Sequence, residues 1–121
     1  IHEQHLRTLE TVRQRATYAQ GVVSFDLVDD NVEGFNKFIP YYLFDGATYT
    51  VALTRGKLRT KISIGSNPWA ARPRQHNIAT ICERYGGGGH AVVGAISFGP
   101  EEVERGRKAM KEIVEELSFK D

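Results

Sequence analysis

The chain has one cysteine, Cys82, so no disulfide can form within it. That suits a reducing compartment and removes the disulfide-stapled secreted scaffolds from consideration. No apolar run approaches the roughly 20 residues of a membrane helix, and no basic-then-apolar leader opens the sequence. A cytoplasmic protein without a membrane partner is therefore expected. Paired histidines and carboxylates at metal-ligand spacing are also missing. The four histidines are His2, His5, His76 and His90. His2 and His5 lie three apart with no third ligand in view, and no Asp-His-His run occurs. The chain begins at Ile1, not Met, and is expected to be a fragment of something longer.

What is present describes one globular domain over residues 1–121. Hydrophobic residues make up 40% and charged residues 26% of the chain. That is too apolar for a disordered segment and long enough for a core of its own. The net charge is +1, but it is unevenly spread. Residues 55–90 hold seven basic side chains against Glu83 alone, while the flanking thirds are acidic. A local cationic field in a nearly neutral protein favours an anionic ligand.

The periodicity predicts an α/β domain with a mixed four-stranded sheet and flanking helices. Ile1, His5, Leu9, Val12, Ala16 and Ala19 fall at helical spacing, predicting a helix over 1–19 ended by Gly21. Val23, Phe25 and Leu27 alternate with polar residues as a strand. A short helix near 31–38 follows the Asp29-Asp30-Asn31 turn. Residues 47–54 and 57–64 form a hairpin around Arg55-Gly56, with Leu58, Ile62 and Ile64 on one face. Residues 65–76 read as a loop, 78–85 as a helix capped by Asn77 and stopped by Gly86, and 91–98 as a buried strand. Pro100 is expected at the first position of a last helix whose buried stripe is Val103, Met110, Ile113 and Leu117.

The strongest local signal is Gly86-Gly87-Gly88-Gly89-His90. One glycine would cap the preceding helix; four in a row cost backbone entropy. Backbone N–H groups with no Cβ beside them can crowd an anion, and a histidine directly after them can donate to a phosphate oxygen. The competing reading is a flexible loop before a structural histidine. No Gly-Lys-Ser/Thr follows, so this is not a P-loop, and the glycines lack the spacing of a dinucleotide fingerprint. Trp69 on the 65–76 loop could stack on a base or close over its own domain. Cys82 reads as a small core residue and Asp29-Asp30 as a solvated turn.

Lys61-Ile62-Ser63-Ile64-Gly65-Ser66, a helix ending Ile81-Cys82-Glu83-Arg84-Tyr85, then the glycine run, His90 and an apolar strand together resemble the DHHA1 domain. That is the C-terminal domain of DHH phosphoesterases: RecJ-like exonucleases, oligoribonucleases that also cleave linear dinucleotides, and exopolyphosphatase-like proteins. A related copy ends the alanyl-tRNA synthetases. The resemblance covers roughly residues 15–118. It implies a substrate-binding domain closing over a separate upstream DHH catalytic domain, which holds Mn2+ or another divalent metal and hydrolyses phosphodiester or phosphoanhydride bonds. The present chain is then expected to be inactive alone. Gly87, Gly88, Gly89 and His90 would contact substrate, with Arg72, Arg74, Arg59 and Asn67 nearby. The partner would be nucleic acid, a short oligonucleotide, a dinucleotide or polyphosphate, and a homodimer of the parent is left open. The alternative implied is an RNA- or tRNA-binding module like the synthetase's terminal domain. One departure stands out: many members carry Arg just before the final Ser of the hairpin strand, where this chain has Gly65.

Overall fold

The computed structural model describes residues 16–28, 47–55, 58–67 and 76–118. In chain order the elements are β1 (Ala16–Ala19), β2 (Val22–Asp26), β3 (Tyr49–Arg55), β4 (Thr60–Ser66), α1 (Ile78–Arg84), β5 (Gly88–His90), β6 (Val93–Phe98) and α2 (Val103–Leu117). The strands form one six-stranded sheet in the order β1-β2-β3-β4-β6-β5. Only β2 and β3 pair in parallel; every other neighbouring pair is antiparallel. The α/β class and the mixed sheet are as expected. Two strands are additional, one at each edge.

The register sorts the side chains. Val51 sits opposite Ile64, Leu53 opposite Ile62, and Ile62 opposite Ile96. All are buried on the face that both helices cover. The stripe of α2 is Gly106, Ala109, Ile113 and Leu117, at spacings of three and four that hold one helical face against the sheet. Gly106 sets the depth of that packing. A Cβ there would lie 3.1 Å from Leu53 Cδ1 and 3.3 Å from Thr60 Cγ2. At the far end of the sheet, Arg107 Nε donates to Asp26 Oδ2 at 2.7 Å and ties α2 to β2.

Four local expectations are corrected. The end of the supposed first helix, residues 16–19, is strand β1; residues 1–15 and the expected helix near 31–38 lie outside the described residues. Ala16 and Ala19 fit helical spacing, but Gln20 and Gly21 both have positive φ, 51° and 83°. Two such residues make the turn whose twist matches a two-residue hairpin. Leu58 does not join the hairpin face: it is 89% exposed, β4 begins at Thr60, and Thr60 takes the inward position beside Ile62 and Ile64. Gly65 and Ser66, read as loop, complete β4. Pro100 is not inside α2. Glu102 N donates to Gly99 O at 3.0 Å, so Pro100 is the second residue of a β-turn, another place where its fixed φ fits.

Candidate functional site

The glycine run begins as a helix cap. Gly86 has φ +87°, its N–H donates to Glu83 O at 3.1 Å, and the N–H of Gly87 donates to Cys82 O at 2.8 Å. These two bonds are the Schellman arrangement, which satisfies the last carbonyls of α1. The amides of Gly86 and Gly87 are thus committed to the fold. The chain then runs into β5 and turns at Ala91-Val92 into β6. That turn is pinned from two sides. Ile78 N donates to Ala91 O at 3.0 Å, and Ser66 donates to Val92 O through both N (3.0 Å) and Oγ (2.9 Å). The expected glycine loop is a braced hairpin at the sheet edge.

Each glycine in it has a different reason to be small. A Cβ on Gly87 would run into the Ala95 carbonyl oxygen, and one on Gly89 into the Val93 carbonyl and the Gly94 backbone. Gly94 itself lies beneath α1, where a Cβ would meet Cys82 Sγ at 2.7 Å. Gly88 differs: a Cβ there would meet nothing within 4 Å, and its φ is not positive. Nothing in the described fold requires glycine at 88.

Gly88 and His90 are exposed, on the side of the sheet away from the helices. The register extends that side across β6 and β4. Gly88 pairs with Ala95 and Ala95 with Ser63; His90 pairs with Val93 and Val93 with Gly65. The floor is therefore built of small residues, with Val93 40% exposed at its centre. Further along, Lys61 pairs with Ser97, and Arg59 Nη1 donates to Ser97 Oγ at 3.5 Å. Towards β3 and β2 the same side is closed, with Ala52, Val23 and Phe25 buried.

Of the residues expected at the site, Gly88 and His90 share this open face, whereas Gly87 and Gly89 form the frame that holds them. Arg59 is not brought to them: it precedes Gly65, opposite Val93, by six positions, roughly 20 Å of strand. Asn67 is buried, and its Nδ2 donates to Ala47 O at 3.1 Å, holding the end of β4. Arg72, Arg74 and Trp69 lie outside the described residues, as do His2 and His5. Sequence reasoning missed Ser63, Ala95 and Gly65 as one surface. Only the strand register unites them.

The end of α1, which leads into the hairpin, is tied to α2. Arg84 reaches Glu116 with both terminal nitrogens, at 2.6 and 3.3 Å, and Tyr85 donates its hydroxyl proton to Glu112 Oε1 at 2.9 Å. Partial burial raises the Tyr85 phenol above its ordinary range, and the Glu112 hydrogen bond adds to the shift. Burial also raises the Cys82 thiol, which leaves it a poor nucleophile under Gly94. No group of three His, Cys, Asp or Glu side chains that could hold a metal ion occurs among the described residues. None of the described helices is long and apolar enough to cross a membrane.

No family model matches the sequence, and no curated protein matches it significantly. Solved structures do match. A pGpG-specific phosphodiesterase, PggH, from Vibrio cholerae superposes with a TM-score of 0.78 and 24% identity over 96% of this chain. An exopolyphosphatase-related protein from Bacteroides fragilis gives 0.64 and 16% over 95%. The C-Ala domain of Aquifex aeolicus alanyl-tRNA synthetase gives 0.53 and 15% over 87% of this chain and 99% of its own. The fold is that of the DHHA1-type domain found in DHH phosphoesterases. The chain spans 40% of the phosphodiesterase's length and 36% of the exopolyphosphatase-related protein's.

Proposed function

We propose that this chain is the substrate-binding domain of a DHH-type phosphoesterase, holding a phosphodiester-containing ligand against the open face of β4, β6 and β5. The observation that carries the reading is Gly88. It is the one glycine of its run that the described fold does not require, and it stands on the same exposed face as His90. A missing side chain with no structural reason lets something else come close to the backbone. His90 supplies a hydrogen-bond donor beside it. The fold of the phosphodiesterase and exopolyphosphatase-related neighbours supports this class of ligand. In this reading the divalent metal, expected to be Mn2+, and the hydrolytic step belong to a separate upstream domain, and the domain described here positions the substrate.

Titration with a linear dinucleotide, followed by NMR, tests the reading. Shifts are expected at Gly88, His90, Ser63 and Ala95. His90→Ala should weaken binding roughly ten- to a hundredfold, the equivalent of a charge-assisted hydrogen bond of about 1.5–3 kcal/mol. Its stability should stay within about 0.5 kcal/mol of wild type, since His90 is exposed. Wild-type affinity in His90→Ala, with shifts mapping elsewhere, overturns the assignment. The near-complete coverage of the C-Ala domain favours one second reading, a tRNA-binding module. Binding of folded tRNA with no dinucleotide binding would select it.

A further inference from the structure

His90 follows two glycines, the residue type with the freest backbone, so little before it fixes its direction. It is exposed, so burial does not fix it either. Its restraint comes from the two-residue turn after it. The carbonyls of both turn residues are engaged. That of Ala91 accepts from Ile78 N at 3.0 Å, and that of Val92 accepts from Ser66 N at 3.0 Å and from Ser66 Oγ at 2.9 Å. Two of these three donors are backbone N–H groups. The Ser66 hydroxyl is the one that a side-chain substitution removes.

Ser66 is a firm base for that bond. Its N–H adds one rung to the β4–β6 ladder beyond the Gly65–Val93 pair. The next residue, Asn67, is buried and donates twice to the segment leading into β3, through N to Thr48 O at 2.8 Å and through Nδ2 to Ala47 O at 3.1 Å. β3 lies inside the sheet and is buried from Tyr49 to Leu53. A continuous set of hydrogen bonds thus runs from the entry of β3, through Asn67 and Ser66, to the Val92 carbonyl. His90 is two residues from that carbonyl. Ser66 itself pairs with Tyr49, a core residue, so its side chain belongs to the helix-covered side of the sheet and not to the open face.

We propose that Ser66 is a positioning residue for His90. Its hydroxyl, anchored through Asn67, fixes the Ala91-Val92 turn and thereby where the imidazole stands over the open face. Standing on the opposite side of the sheet, Ser66 acts on a ligand only through that turn. Side chains that hold a contact residue in one geometry spare the ligand the cost of ordering it. The inference rests on the reading of His90 as a ligand contact and goes beyond it by assigning the residue that holds His90 in place.

Titration of the chain with a linear dinucleotide, joined to amide hydrogen exchange by NMR, tests it. Ser66→Ala keeps the N–H rung and loses the hydroxyl bond. Affinity should fall roughly two- to tenfold, the equivalent of one neutral hydrogen bond. Exchange at the His90 and Val93 amides, which close the turn, should quicken by a similar factor, while the core amides of Ile62 and Ile96 exchange as in wild type. Ser66→Thr keeps a hydroxyl on a residue suited to strands and should bind as wild type does. With His90→Ala already present, adding Ser66→Ala should cost no further affinity, because the side chain it positions is gone. The inference is overturned if Ser66→Ala binds as wild type does, or if it costs the same affinity with and without the His90 side chain. In both of those outcomes His90 still matters and only the role of Ser66 is lost. If instead His90→Ala alone binds as wild type does, the reading of the site fails and this inference fails with it, a distinguishable result.

Discussion

The two sides of the β4–β6 ladder are built by opposite rules. Towards the helices stand Ile62, Ile64, Ile96 and Phe98, closed over by Ile113 and Leu117. Away from them stand Ser63, Gly65, Ala95 and Val93, partly or fully open. The inner row removes large apolar surface from water, at about 25 cal/mol per Å². The outer row contributes little to such burial and leaves backbone accessible. The same strands thus stabilise the domain with one set of alternate residues and present a surface with the other. A bulky residue on the outer row would leave the fold intact and alter what can lie on it.

Substitution can break this contrast at three strengths. Ile113→Ala should cost about 2–5 kcal/mol, because Ile113 is fully buried and its loss leaves a cavity under the sheet. Ser63→Ala on the outer row should stay within about 0.5 kcal/mol. Urea unfolding followed by circular dichroism measures both, and equal costs would erase the distinction. Next, Gly87→Ala and Gly88→Ala sharpen it within the glycine run. The first drives a methyl group into the Ala95 carbonyl and should destabilise by about 1–3 kcal/mol. The second meets open space, so stability should change by less than about 1 kcal/mol while ligand affinity falls. Thermal melts paired with dinucleotide titration separate these outcomes. The smallest effect is at Thr60, buried on the inner row with no hydrogen-bond partner for Oγ1 among the described residues. Thr60→Val keeps the shape and removes the orphaned hydroxyl, so it should be neutral or stabilising by up to about 1 kcal/mol. A clear loss of stability would show that the hydroxyl is bonded after all.

The inner row was legible in the sequence because its signal is chemical. Val51, Leu53, Ile62 and Ile64 alternate with smaller or polar neighbours, and Ile113 and Leu117 of the stripe expected on α2 are buried, whereas Val103 and Met110 are only partly so and the small Gly106 and Ala109 complete the buried row. Asn77 and Gly86 likewise announce the ends of α1, and Thr80 N does donate to Asn77 Oδ1, at 3.3 Å. The two edge strands were not legible, for opposite reasons. In β1, Ala16 and Ala19 are compatible with either periodicity, and the deciding feature is the backbone of Gln20 and Gly21. In β5, two of the three residues are glycines with no side chains to alternate. The candidate site divides the same way. The glycine run and His90 stand out as a rare composition. Ser63, Ala95 and Lys61 become one surface only through a register linking positions about 30 residues apart in the chain.

The C-terminal position of α2 after all six strands bears on how the domain acquires its fold during synthesis. Gly106, Ala109, Ile113 and Leu117 seal a core whose other walls come from β3, β4, β6 and α1. A nascent chain ending between β6 and α2 carries the strand sequences with the part of their inner row that α2 seals still uncovered. At a synthesis rate of about 5–20 residues per second, several seconds separate the appearance of β3 from that of Leu117. During that interval the apolar row is an aggregation hazard, so any holding factor that engages this chain should bind before α2 emerges and release after it.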